Sequence, residues 1–132
     1  MRDATRRYDV VLLDAFGPQG VPRQLSTQRF YDDCLDALEP GGVLVSNFHS
    51  AASDFDACVR RIERSFDEAP LVVQDREAGN SIVFARKGGP LAGLRTPLVT
   101  CPKGLEEGAW AQLRGAFERI GSALAARGRM RL

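Results

Sequence analysis

The stretch that most constrains the fold of this chain is Tyr8 to Pro18, YDVVLLDAFGP. Val10, Val11, Leu12 and Leu13 form an unbroken apolar run, which is the pattern of a strand buried on both faces of a parallel sheet. Asp14 follows at its carboxyl end. In open α/β sheets ligands bind outside that end, because the loops diverge there and leave a crevice. A carboxylate so placed is a candidate site residue. The same aspartate can also serve as a loop cap that accepts backbone N–H bonds, a common use of Asp in turns. Asp9 stands at the opposite end of the strand, away from that crevice.

The rest of the chain alternates helical and extended patterns. Gly17, Pro18, Gly20 and Pro22 mark a loop, since Gly and Pro interrupt both helix and strand ladders. Ser26 or Thr27 can cap a helix that carries Phe30, Tyr31, Cys34, Leu35 and Leu38 on one face, and Pro40-Gly41-Gly42 is expected to end it. Val43, Leu44 and Val45 form a second apolar strand, with Ser46, Asn47, Phe48 and His49 at its carboxyl end as further polar candidates over the same crevice. Ser53 with Asp56 resembles a capping box opening a helix that turns Phe55, Cys58, Val59, Ile62 and Phe66 inward. Beyond Pro70, Leu71–Gln74 and Ser81–Ala85 read as strands joined by the turn signal Ala78-Gly79-Asn80, a separation that suits a hairpin. The order strand, helix, strand, helix, hairpin is that of an α/β protein.

After the hairpin, the Gly- and Pro-rich stretch 88–104 reads as a loop or linker, and a helix from about Leu105 to Ala126 carries Trp110, Leu113, Phe117, Ile120 and Leu124 at helical spacing. Its apolar stripe calls for cover by the parent sheet or by a partner subunit. Arg127, Arg129 and Arg131 read as a solvated basic end. The whole chain, at 132 residues, is long enough for one domain with a real core. Its 18 basic and 17 acidic residues give no electrostatic pull toward nucleic acid or a membrane surface. Cys34, Cys58 and Cys101 are scattered and odd in number, which fits reduced thiols in a cytoplasmic protein better than disulfides or a zinc site. No apolar run approaches the roughly 18 residues of a membrane span, and MRDATRRYDV has no apolar signal core.

Tyr8 to His49 resembles the segment of the spermidine synthases (polyamine aminopropyltransferases) that holds the catalytic aspartate. The matching elements are the YDVV strand, the DAF loop, the small-residue and Pro turn, the L-[ST]-T helix start, the L-x-P-G-G turn and the strand after it. GNSIVFA also resembles the end of that catalytic domain, so the likeness runs from Tyr8 to Arg86, about three-fifths of the chain. A generic methyltransferase shares the strand pattern and the PGG turn but less often the loop from the DAF residues to Leu25.

The resemblance implies a class I S-adenosylmethionine methyltransferase-like sheet, here a partial Rossmann-like one of about four strands, matching the fourth to seventh of such a fold. On this view 1–87 is the C-terminal half of a catalytic domain, 88–104 a linker, and 105–132 an amphipathic helix with a basic tail. No G-x-G motif follows any strand to approach a cofactor. By resemblance Asp14 is the catalytic residue, Ala15 and Phe16 face the cofactor, and Asn47 and His49 face the substrate, with no metal. The co-substrate implied is decarboxylated S-adenosylmethionine, the acceptor is a polyamine such as putrescine, and a homodimer or a complementing N-terminal half would complete the site. The sequence departs from the family at Gly17, where the best known members carry a second acidic residue. His49 also reads as an exposed or capping histidine, and Phe16 as a buried loop anchor. Two other functions fit the same pattern: an S-adenosylmethionine-dependent methyltransferase, and a non-catalytic module that pairs the open edge of its first strand with another chain.

Overall fold

The computed structural model describes residues 6–15, 20–91 and 100–130. The chain divides into two compact units, Met1–Leu91 and Ala92–Leu132. The first unit holds β1 (Tyr8–Leu13), a single 3-10 turn (Arg23–Leu25), α1 (Gln28–Ala37), β2 (Leu38–His49), α2 (Phe55–Phe66), β3 (Leu71–Asp75) and β4 (Asn80–Arg86). The strands lie in the order β1-β2-β4-β3, with β1 parallel to β2 and the β3–β4 hairpin antiparallel to it. The architecture is therefore the expected α/β, Rossmann-like sheet with flanking helices.

Alternation along the strands sorts residues into two faces. Val11, Leu44, Phe48, Val83 and Ala85 point to one face and form the core with Tyr31, Cys34 and Leu38 from α1 and its end, and with Cys58, Ile62 and Phe66 from α2. The two helices are locked together by polar contacts. Gln28 Nε2 donates to Ser65 Oγ at 2.7 Å and to the Arg61 carbonyl at 3.0 Å, while Arg61 Nη1 donates to the Ser26 carbonyl at 2.9 Å. Thr27 caps α1, its Oγ1 accepting the Phe30 N–H at 3.1 Å, as the sequence implies.

Three expectations need correction. First, β1 is not buried on both faces: Val11 is 8% exposed, but Val10 and Leu12 are 50% and 72% exposed. Both helices cover the same side of the sheet, and β1 is an edge strand, so a continuous apolar run does not report a second cover here. Second, Pro40-Gly41-Gly42 does not stand between α1 and the next strand. The chain passes straight from Ala37 into β2, and the turn residues become an irregularity within the strand. A step of two residues in β1, from Tyr8 to Val10, lies against a step of five in β2, from Leu38 to Val43. Proline lacks an N–H and is tolerated at such a break in the ladder. Third, the Ser53–Asp56 capping box does not form: α2 begins at Phe55, and its N-cap residue Asp54 makes no side-chain cap bond.

The abrupt helix-to-strand change is held by a cation. Lys87 Nζ donates to the Leu35 carbonyl at 2.8 Å, which also accepts the Leu38 N–H, and to the Leu38 carbonyl at 2.7 Å, so it reinforces the carbonyls at the end of α1. Its backbone extends the β2–β4 pairing, bonding Gly41 N–H and the Gly42 carbonyl, each at 2.9 Å. In the second unit, α3 runs from Glu107 to Met130, somewhat later than the sequence suggests. None of its residues is fully buried, and Leu113 and Phe117 on its apolar stripe are 43% and 40% exposed. Among the described residues no helix is long and apolar enough to cross a membrane.

Gly42 is the tightest point of the irregular segment. A Cβ there would come within 2.9 Å of the Glu39 carbonyl and 3.1 Å of the Asp9 carbonyl, both backbone atoms with little freedom to move. Gly42→Ala is expected to destabilise the fold by about 1–3 kcal/mol, the range of an overpacked site. Urea unfolding followed by far-UV circular dichroism measures this, and an unchanged midpoint would show that the β1–β2 junction is not so constrained.

Candidate functional site

The register of the two parallel strands decides which side chains meet. Leu13 pairs with Ser46, so the next residues along, Asp14 and Asn47, come side by side at the carboxyl ends of β1 and β2. Asn47 Nδ2 donates to Asp14 Oδ1 at 3.1 Å. Asp14 is exposed and Asn47 half-buried. The Asn47 Oδ1 is buried and finds no hydrogen-bond donor among the described residues.

Beside this pair lies a small cleft, partly open to solvent. Leu13, Ala15, Val21, Leu25 and Phe30 give it apolar walls, and Tyr31, Ser46, Asn47 and Phe48 complete its lining. Ala15 and Asn47 are both among the lining residues, and Asn47 is hydrogen-bonded to Asp14. Phe16 lies outside the described residues. His49, the last residue of β2, is exposed, and its Nδ1 accepts the Ala51 N–H at 3.3 Å. It therefore caps the turn after β2, and the structure does not bring it to the cleft lining. Ser46 to His49 continue β2, so alternation buries Ser46 and Phe48 under the helices and turns Asn47 the other way.

Tyr31, Val21 and Leu25 were not singled out by the sequence as cleft residues. Tyr31 reads from the pattern as one member of the apolar face of α1, and it is 1% exposed. Burial, and next its neighbour Cys58, push the phenol well above its usual range, so Tyr31 remains a neutral hydroxyl at the cleft floor. The signal available in the sequence was its position between Phe30 and Cys34, which marks burial but not the polar tip. Among the described residues no group of three or more His, Cys, Asp or Glu side chains is arranged to hold a metal ion.

Known proteins give this geometry a context. Polyamine aminopropyltransferase of Chromobacterium violaceum is 29% identical over 82 residues, 62% of this chain and 31% of that protein. The same enzyme of Vibrio vulnificus is 30% identical over 80 residues, 61% of this chain and 27% of that protein. That of Clostridium beijerinckii is 34% identical over 61 residues. The chain is similar to polyamine aminopropyltransferases. It spans about a third or less of the length of these curated relatives. No family model matches. Among solved structures, human methyltransferase-like protein 13, in complex with SAH, superimposes with a TM-score of 0.55 at 19% identity, covering 93% of this chain and 51% of that one. At that identity the match is one of fold.

The three thiols differ in their surroundings. Burial, and next the Asp33 carboxylate, push Cys34 up from 9.0 to about 12, and burial also raises Cys58. Cys101 is exposed. Iodoacetamide at pH 8 is therefore expected to label Cys101 in the native protein, and Cys34 and Cys58 only after unfolding. An unfolded chain releases its thiol protons near pH 9 while folded Cys34 keeps its proton to about 12. Above pH 9 the unfolded state thus binds fewer protons, so the stability held below that pH falls progressively up to about pH 12. Native-state labelling of Cys34 at pH 8 would contradict this account.

Proposed function

We propose that this chain supplies the amine-activating side of an aminopropyltransferase site, with Asp14 as the catalytic carboxylate. The observation that carries the reading is the hydrogen-bonded Asp14–Asn47 pair at the strand ends, next to an apolar cleft. The similarity to polyamine aminopropyltransferases supports the transfer chemistry, and the fold shared with an SAH-bound methyltransferase supports a ligand of the S-adenosylmethionine type. Decarboxylated S-adenosylmethionine would supply an electrophilic carbon next to its sulfonium, with methylthioadenosine as leaving group. The cleft walls of Leu13, Ala15, Val21, Leu25 and Phe30 suit the thioether end of such a molecule.

The residues of this chain act on the other reactant. An aliphatic amine has a pKa of about 10 and is mostly protonated at neutral pH, so the site must take up or hold off a proton before attack. Asp14 can accept an N–H, aim the nitrogen lone pair into the cleft, and offset the positive charge that builds on nitrogen during attack. Its exposed position leaves it open to an incoming polyamine such as putrescine.

Calorimetric titration with decarboxylated S-adenosylmethionine, S-adenosylmethionine and methylthioadenosine in parallel tests the reading. Preference for the decarboxylated form and methylthioadenosine is the expected result. Preference for the intact cofactor would turn the assignment to methyl transfer, and absence of all binding would remove the transferase reading for this chain. Asp14→Asn is expected to lower aminopropyl transfer to putrescine by about 100-fold or more, as loss of a general base does, without moving the thermal midpoint. Wild-type turnover in that variant would dismiss Asp14 as the catalytic group.

A further inference from the structure

We infer that α3 is a self-association element, whose apolar stripe packs antiparallel against the α3 of a second copy of this chain. The resemblance to aminopropyltransferases ends at Arg86, so this surface is read from its own residues and stands apart from the proposed reaction. Trp110, Leu113, Phe117, Ile120 and Leu124 are spaced alternately three and four residues apart, which is the a and d repeat of a coiled-coil seam. No residue of α3 is buried. A helix that lies on a globular core carries a wider stripe, with large apolar side chains at e or g as well. Here the flanks are narrow: Ala109, Ala116 and Ala123 run along one side of the seam, and Gly121 and Gly128 follow Arg114 along the other. Such flanks let a second helix backbone come close but give little apolar area to a flat sheet. Left alone the helix is weak, because Gly108, Gly115, Gly121 and Gly128 each lower helix propensity and most helical stability comes from packing of an apolar face.

The charges select both the partner and its direction. Glu106 and Glu107 stand at the amino end of α3, and Arg127 and Arg129 in its last turn. Antiparallel pairing of two copies sets each acidic end against a basic end and opposes the two helix dipoles. Parallel pairing would set Glu against Glu and Arg against Arg. With a layered on d in the antiparallel pair, Leu113 meets Leu124 of the second copy and Phe117 meets its Ile120. The same register brings Trp110 to Arg127 of the second copy, where a guanidinium can lie on the indole face. One helix thus supplies both halves of the complementarity, and a second copy is a sufficient partner.

Sedimentation equilibrium of the full chain over a wide concentration range tests the inference. A reversible dimer is expected, and Phe117→Glu should abolish it by placing a charge in the seam. Charge reversal at one end, Glu106→Lys with Glu107→Lys, should weaken dimerisation about tenfold, the sum of several exposed ion pairs. Adding Arg127→Glu and Arg129→Glu to that variant should restore the dimer, because the two ends are again opposite in sign. A chain that stays monomeric at every concentration would overturn the inference, and the stripe would then be covered within the chain or not at all. A dimer indifferent to Phe117→Glu would place the interface elsewhere and overturn it as well. Further loss of dimer in the fourfold charge variant would show that the end charges serve only their own helix dipole, and the antiparallel pair would be dismissed. Ligand binding by the cleft bears on the transferase reading alone, so the two can fail separately.

Discussion

The parallel register of β1 on β2 is the constraint from which the rest of the site follows. Because side chains alternate across a sheet, a slip of one residue would exchange the buried and outward sets of either strand. In the register observed, Val11 and Leu44 face the helices, and the line that pairs Leu13 with Ser46 continues into Asp14 beside Asn47. The apolar contacts and the polar pair are thus set by one choice. That choice is reached only because β2 absorbs three extra residues between Leu38 and Val43, keeping Leu38 buried while bringing Val43 opposite Val10. Lys87 makes the junction tenable by taking up the carbonyls of Leu35 and Leu38 where the chain changes from helix to strand.

The covered face and the open face of the sheet do different work. On the covered face the core is closed by side chains from α1 and α2 that range from Tyr31 and Phe66 to Cys34 and Cys58, buried thiols held neutral by desolvation. Polar contacts such as Gln28 to Ser65 fix how the two helices lie against each other. On the open face Val10 and Leu12 stay accessible. Asn47 belongs by alternation to that second face, which explains how its Nδ2 can reach an exposed carboxylate while its neighbours Ser46 and Phe48 are buried.

Much of this was legible in the sequence. The elements, their order and the hairpin follow from apolar runs and turn residues, and Thr27 announces the start of α1. Asp14 was legible as a candidate because it directly follows the apolar strand, a place where Asp serves equally as a loop cap. Three things were not legible. The apolar run in β1 does not say how many layers will cover it. Pro40-Gly41-Gly42 carries the same residues whether it ends a helix or breaks a strand, and the difference lies in Lys87, almost fifty residues away in the chain. The role of His49 depends on where β2 stops: at the last strand position its ring turns back to Ala51 instead of toward the cleft.

The charge pattern of the site limits what it can recognise. Among the described residues, the ends of β1 and β2 bring one carboxylate, Asp14, and the sequence position three residues on is Gly17. Tyr31, at the cleft floor, stays neutral because burial disfavours its phenolate. One negative charge beside an apolar cleft can balance one positive charge, and it does so most strongly at the nitrogen it touches, since Coulomb attraction to a second charge farther along a flexible chain is weakened by distance and by water. On the proposed reading, Asp14 would act on the reacting nitrogen and not on the remote end of a diamine, and discrimination between short and long amines would have to arise from other groups.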